Sequence, residues 1–139
     1  MTLSKSERIL ARLKTIADGV NGLTGRVWRD RWEALARNEM SAIVIEPQSE
    51  DDDLTVIPFA DTTLLVNLDI LISGSPLSTL ADPIRVDLHS RLMADRSLDG
   101  LALDLYPAGR AWQAVSGEIG ALRCAYAVKY RTSLTDLTT

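Results

Sequence analysis

Thr63-Leu-Leu-Val-Asn-Leu-Asp-Ile-Leu-Ile-Ser73 is the longest stretch of the chain that keeps an unbroken two-residue rhythm. Leu64, Val66, Leu68, Ile70 and Ile72 fall on one face. Thr63, Asn67, Asp69 and Ser73 fall on the other, with Leu65 and Leu71 among them. Such a pattern is a strand with one apolar side. A strand of this length is not stable alone, so the chain must supply partner strands and helices that cover the apolar side.

Working outward, the flanking sequence offers both. Upstream, Ser41-Ala-Ile-Val-Ile45 is a compact apolar run closed by Glu46-Pro47, as expected of a strand buried on both faces. Gln48-Ser-Glu-Asp-Asp-Asp53 reads as an acidic loop, and residues 54–59 as a short strand ended by Pro58. Downstream, Leu122, Cys124, Tyr126, Val128 and Tyr130 alternate with Arg123, Ala125, Ala127, Lys129 and Arg131. The charged side of this last strand can pair across the sheet with Asp69 and Asp104. Leu101, Leu103 and Leu105 predict a further strand, interrupted at Pro107-Ala-Gly109 and continued over 111–115. Residues 117–120 read as the turn into the last strand.

Helices are expected at two places. Ser4-Lys-Ser-Glu7 has the spacing of a capping box, and Ile9, Leu13, Ile16, Ala17 and Val20 recur at helical spacing up to Gly19 or Gly22. Asp82-Pro83 reads as a helix start, with Ile84, Leu88 and Leu92 as its core stripe. The fold class that follows is α+β: a mixed, mainly antiparallel sheet of about four to six strands, covered on one face by the N-terminal helix and a second helix near 83–94. With 139 residues the chain suits a single domain, 1–139.

Composition narrows the function. A net charge of −4 argues against an electrostatic grip on a nucleic-acid backbone as the main activity. The single cysteine, Cys124, forms no internal disulfide and reads as a packed core residue, which fits a reducing compartment. No apolar run approaches the roughly 20 residues that span a bilayer, and the first residues are too polar for a signal peptide, so a soluble cytoplasmic chain without membrane contact is expected. His89, the one histidine, reads as a surface residue with no nucleophile beside it, so no catalytic residue, cofactor site or metal site is expected.

Three stretches stand out as surfaces. Arg26, Trp28, Arg29, Arg31 and Trp32 interleave cations and rings as a single-strand nucleic-acid surface does, while the same tryptophans equally suit anchors of a short helix running to Asn38. Glu50, Asp51, Asp52 and Asp53 lack the glycine and alternating oxygens of a calcium loop and read as an exposed acidic segment. Val86 and Met93 form a second apolar side on the second helix, either core or a partner surface.

Certain landmarks resemble the tail terminator family of tailed bacteriophages, the minor tail protein U-like proteins. They are Arg8-Ile9 with Leu13, Ile43-Val-Ile-Glu-Pro47, Leu92-Met-Ala-Asp-Arg-Ser-Leu-Asp-Gly100 and Val128-Lys-Tyr-Arg-Thr132, in that order across nearly the whole chain. The chain departs from the family pattern at Asp99, where a second glycine is common, and at Asp136-Leu137, where a proline often follows the aspartate. The resemblance implies a non-enzymatic virion protein, assembled in the host cytoplasm, that forms a hexameric ring on the head-proximal end of the tail tube. Such a ring ends tube polymerisation and presents the head–tail joining surface. Its implied partners are copies of itself, the major tail tube protein and a head–tail connector or completion protein, with DNA only passing through the lumen. Another head–tail connector protein of similar fold, and a small nucleic-acid-binding module using residues 26–32, are the competing readings. The candidate surfaces are therefore Trp28, Arg29, Arg31, Glu50, Asp51, Asp52, Asp53, Val86, Met93 and Arg131.

Overall fold

The computed structural model describes residues 2–30, 40–116 and 119–139. In chain order the elements are α1 (Lys5–Asp18), β1 (Val27–Arg29), β2 (Ala42–Asp53), β3 (Phe59–Ser73), α2 (Leu77–Met93), β4 (Asp104–Ser116) and β5 (Ile119–Ser133). The strands form one five-stranded sheet in the order β1-β2-β3-β5-β4, with the 15-residue β3 at its centre. Only β1 pairs in parallel, with β2; every other neighbour is antiparallel.

The alternation in β3 sorts its side chains as the sequence predicts. Leu64, Val66, Leu68, Ile70 and Ile72 are each at most 2% exposed and join one core with Leu122, Cys124, Tyr126, Val128 and Tyr130 of β5. Ile43 and Ile45 of β2 extend that core on one side and Leu105 of β4 on the other. Both helices cover this face. Ile9, Leu13 and Ala17 of α1 and Ala81, Leu88 and Leu92 of α2 are all fully buried against it. The opposite face carries no helix among the described residues; Asp61, Asn67, Asp69, Arg123 and Arg131 lie there, with Ala121 and Ala127 between them. The Ser41-to-Ile45 run is buried on both faces, since Ala42, Ile43, Val44 and Ile45 all lie at 6% exposure or below.

Several boundaries differ from the sequence reading, each for a local reason. The acidic segment is strand, not loop, because β2 continues to Asp53 against residues 61–65 of β3. Backbone pairing tolerates side-chain charge, and alternation sends successive carboxylates to opposite faces, which moves them apart and weakens their mutual repulsion. Residues 54–58 form the connection between β2 and β3 and not a strand of their own. The second helix starts at Leu77 after Pro76, six residues before the expected Pro83 start, because Leu77 and Ala81 carry the Ile84, Leu88 and Leu92 stripe back by two further turns. Pro83 therefore lies inside the helix, where its missing amide leaves one backbone acceptor without its usual donor. The predicted strand from Leu101 begins only at Asp104; Leu98 is fully buried within the preceding turn and Leu103 is 60% exposed.

The N-cap is half as predicted. The Ser4 hydroxyl accepts from the Glu7 amide at 3.1 Å, but the Glu7 carboxylate turns away to Arg29. The start of α1 is clasped by the last residues of the described chain. The Lys5 amide donates to the Leu137 carbonyl at 2.8 Å, the Lys5 ammonium to the Arg131 carbonyl at 2.7 Å, and the Arg8 guanidinium to the Thr138 carbonyl.

Candidate functional site

A single open sheet has two edges, and here they are unlike. On the β2 side, β1 pairs only with residues 43–45, so among the described residues no strand pairs with the outer edge of the stretch from Glu46 to Asp53. A bulge between Pro47 and Ser49 inserts Gln48 and shifts the phase of the strand. Glu50 and Asp52 thereby stand on the helix-covered face opposite Leu64 and Thr62, while Asp51 and Asp53 stand on the other face.

The two carboxylates on the covered face are held in place. Tyr130 Oη donates to Glu50 Oε1 at 3.0 Å, and the Ser6 hydroxyl donates to the same oxygen. The Thr62 hydroxyl donates to Asp52 Oδ1 at 2.7 Å. Each carboxylate spends one oxygen internally; the other has no partner among the described residues. Burial, and then the neighbouring Glu50 charge, pushes the Tyr130 hydroxyl up to about 12, so it stays protonated and continues to donate at neutral pH.

The β4 edge has the opposite sign. Between β4 and α2 lies a groove of about 390 Å³ lined by Arg85, Val86, His89, Ser90, Pro107, Arg110, Cys124 and Tyr126. The β4 wall of the groove is bulged between Pro107 and Arg110. Gly109 makes the bend at φ +108°, a conformation that side chains resist. Arg110 sits opposite Cys124 on the covered face and makes no hydrogen bond or ion pair among the described residues. Arg85 holds Asp82 at 3.1 Å one turn away and lies 5.9 Å above the half-exposed Trp112 ring.

On the groove floor the half-buried His89 has its Nδ1 2.9 Å from Tyr126 Oη, a partner that its position in the sequence did not reveal. Burial pushes the Tyr126 hydroxyl up to about 12 and raises the Cys124 thiol as well, so neither supplies an anion at neutral pH. Tyr126 and Cys124 are thus uncharged at neutral pH, and the rim carries two cations. Chemically it accepts carboxylates or other anions.

Apolar surface is also exposed at both ends of the sheet. Leu54, Val56, Ile57, Phe59, Leu134 and Leu137 are 40–72% exposed where β3 begins and β5 ends. Leu80, Val86, Trp112 and Val115 are 41–56% exposed on α2 and the far half of β4. Isolated apolar residues on a surface are ordinary, but groups of this size commonly mark contacts with other proteins.

The remaining predicted surface residues are placed as follows. Val86 is 56% exposed on the groove rim, whereas Met93 packs against the core, so the two do not form one surface. Arg131 is committed to Asp61 through two hydrogen bonds of 2.6 and 2.9 Å and lies 5.2 Å from the Phe59 ring. Arg29 is paired with Glu7 at 2.9 Å on the helix side of β1, while Trp28 lies on the opposite face beside Val44. Arg26 donates to the Met40 carbonyl at 2.8 Å. Arg29 and Trp28 therefore lie on opposite faces of the sheet. Arg31, Trp32 and the short helix to Asn38 lie outside the described residues, as do residues 117–118 of the expected turn.

Sequence reasoning missed the groove altogether. Its members are spread from Arg85 to Tyr126, and the only local signal was the Pro107-Ala-Gly109 break immediately before Arg110. Among the described residues no three His, Cys, Asp or Glu side chains converge as metal ligands, and no helix is long and apolar enough to cross a membrane.

No protein-family model matches this chain, and no curated protein does. Among solved structures, one similar chain comes from "Virion of native gene transfer agent (GTA) particle". The TM-score is 0.48 at 7% identity, covering 93% of this chain and 92% of that one.

Proposed function

We propose that this chain is a structural tail protein of a phage-like particle, a tail terminator, working by its surfaces and not by catalysis. Copies assemble into a sixfold ring on the head-proximal end of the tail tube, stop its growth and present the surface to which a head–tail connector docks. The landmarks around Arg8, Ile43, Leu92 and Val128 support the family assignment.

The observation that carries the reading is the inequality of the two sheet edges. A ring requires a heterologous contact, in which one patch meets a different patch on the next copy, and unlike edges on opposite sides of one sheet are suited to it. The exposed apolar residues at the two ends of β3 leave further surface for the tube below and the connector above. Asp51 and Asp53 point to the face without helices, where they would colour a lumen negative and keep passing DNA from adhering by repulsion over about 8 Å in physiological salt. A nucleic-acid-binding module gains little, since Arg26 and Arg29 are both engaged inside the fold.

The test is electron microscopy of particles assembled without this protein. Tubes of uncontrolled length and unjoined heads are expected; tails of normal length attached to heads would overturn the proposal. Replacing Asp51 and Asp53 by asparagine is expected to lower the titre of infectious or DNA-delivering particles, and an unchanged titre would remove the lumen assignment.

A further inference from the structure

We infer that the groove between α2 and β4 is the socket in which each copy receives the acidic edge of β2 from a second copy. The inference rests on the ring reading and supplies its contact. Three observations converge on it.

Charge is the first. Arg85 and Arg110 rim the groove, and Arg110 has no partner of its own among the described residues. Glu50 and Asp52 form a fixed pair on the opposite edge, roughly 7 Å apart along the strand, each with one carboxylate oxygen unused. Besides its contact with the Trp112 ring, Arg85 is tied by an exposed one-turn pair to Asp82, which an incoming carboxylate can replace at little cost.

Facing is the second. Arg110 lies opposite Cys124, on the helix-covered side of β4, and Glu50 and Asp52 lie on the same side of β2. If one copy's sheet continues into the next, the two pairs meet on one face. Had the Pro47/Ser49 bulge not shifted the phase, Asp51 and Asp53 would occupy that side and the two anchored carboxylates would not.

Direction is the third. β4 and β3 are both antiparallel to β5, hence parallel to each other, whereas β2 is antiparallel to β3. The β4 edge of one copy therefore meets the β2 edge of the next in antiparallel fashion. Arg110 is level with Leu68 of β3 and Glu50 with Leu64, an offset of four residues. A stagger of roughly 13 Å inclines the strands to the ring axis, as sheets that close on themselves require. β1 covers only residues 43–45 of β2, so among the described residues no strand pairs with β2 beyond Ile45, where Glu50 and Asp52 stand.

The experiment uses two charge-reversed proteins, R85E/R110E and E50K/D52K, examined by sedimentation velocity with negative-stain microscopy. Wild type is expected to associate into rings, more weakly at high salt. Each reversed protein alone sets like charges against each other and is expected to associate at least about tenfold more weakly. Mixed in equal amounts they are expected to recover rings, because an alternating arrangement pairs every groove with a strand of opposite sign and six is an even number. Recovery on mixing also demonstrates that both variants fold.

Rings that persist in both single variants would overturn the socket and leave the ring reading standing. A wild type that forms no ring, alone or on tube ends, would remove the ring reading and the socket with it. Should circular dichroism show a reversed variant to be unfolded, R110Q and D52N take its place. Each is expected to weaken association several-fold, and undiminished association in both would overturn the socket.

Discussion

The two faces of the sheet are held by different physics. The covered face is a continuous aliphatic surface from Ile43 through Leu68 to Val128, sealed by α1 and α2. The other face is laced by arginine forks. Arg123 grips Asp69 through two bonds of 2.9 and 3.0 Å, and Arg131 grips Asp61 two rungs away from Lys129 in the same fashion. Burial on the first face is insensitive to pH and salt across the neutral range, while the forks respond to both. The molecule thus keeps its stability on one side and leaves the other adjustable.

The sharpest way to break this division is to hollow out the covered face. Leu68→Ala, at a fully buried central position, is expected to cost about 2–5 kcal/mol, read from the midpoint of denaturant unfolding. A value under about 1 kcal/mol would mean that the face is not the main source of stability.

The next largest effect is alkaline. Tyr126 and Tyr130 on the covered face have hydroxyls raised by burial to about 12 against about 10 in an unfolded chain. The unfolded state therefore loses its protons first, so the stabilisation is complete below pH about 10 and disappears as pH rises toward 12. Each tyrosine contributes roughly 2 kcal/mol to that loss, and Tyr126→Phe is expected to shrink it when thermal melts are compared at pH 9 and 11.

The smallest effects lie in the forks. Arg123→Ala leaves Asp69, at 9% exposure, without its partner and is expected to cost about 1–2 kcal/mol. Arg131→Ala removes a more exposed pair and is expected to cost less, with the difference closing further in salt. Its pH signature runs opposite to that of the tyrosines. Hydrogen bonding to Arg131 holds the Asp61 carboxyl below its ordinary range, so this contribution is present above pH about 4 and fades as pH falls further. Acid melts in which wild type and R131A behave alike would show that the fork contributes nothing.

These contrasts also explain what was legible in the sequence. Strands β3 and β5 declare themselves because their apolar residues alternate without a break, and Asp69 with Arg123 fell on the same side by simple counting. The acidic half of β2 was invisible because aspartate is rare in strands and four carboxylates in succession look like a solvated loop. Its pairing partners, Thr62 and Thr63, lie beyond a turn that local propensity does not reveal. The start of α2 was misread because Asp82-Pro83 carries a genuine helix-start signal, overruled by the burial of Leu77 and Ala81. The groove was out of reach for a further reason: its members come from three elements whose register is set only when the sheet forms.

The clasp between the start of α1 and residues 131–138 brings positions 5 and 137 within hydrogen-bonding distance, although they are separated by nearly the full length of the sequence. A short linker could therefore join the two ends and the chain be reopened in the connection at 54–58, giving a permuted protein with the same sheet. Labels attached at position 5 and at position 137 would emerge at one common spot of the fold, so the two reporters would sense the same patch of its surface.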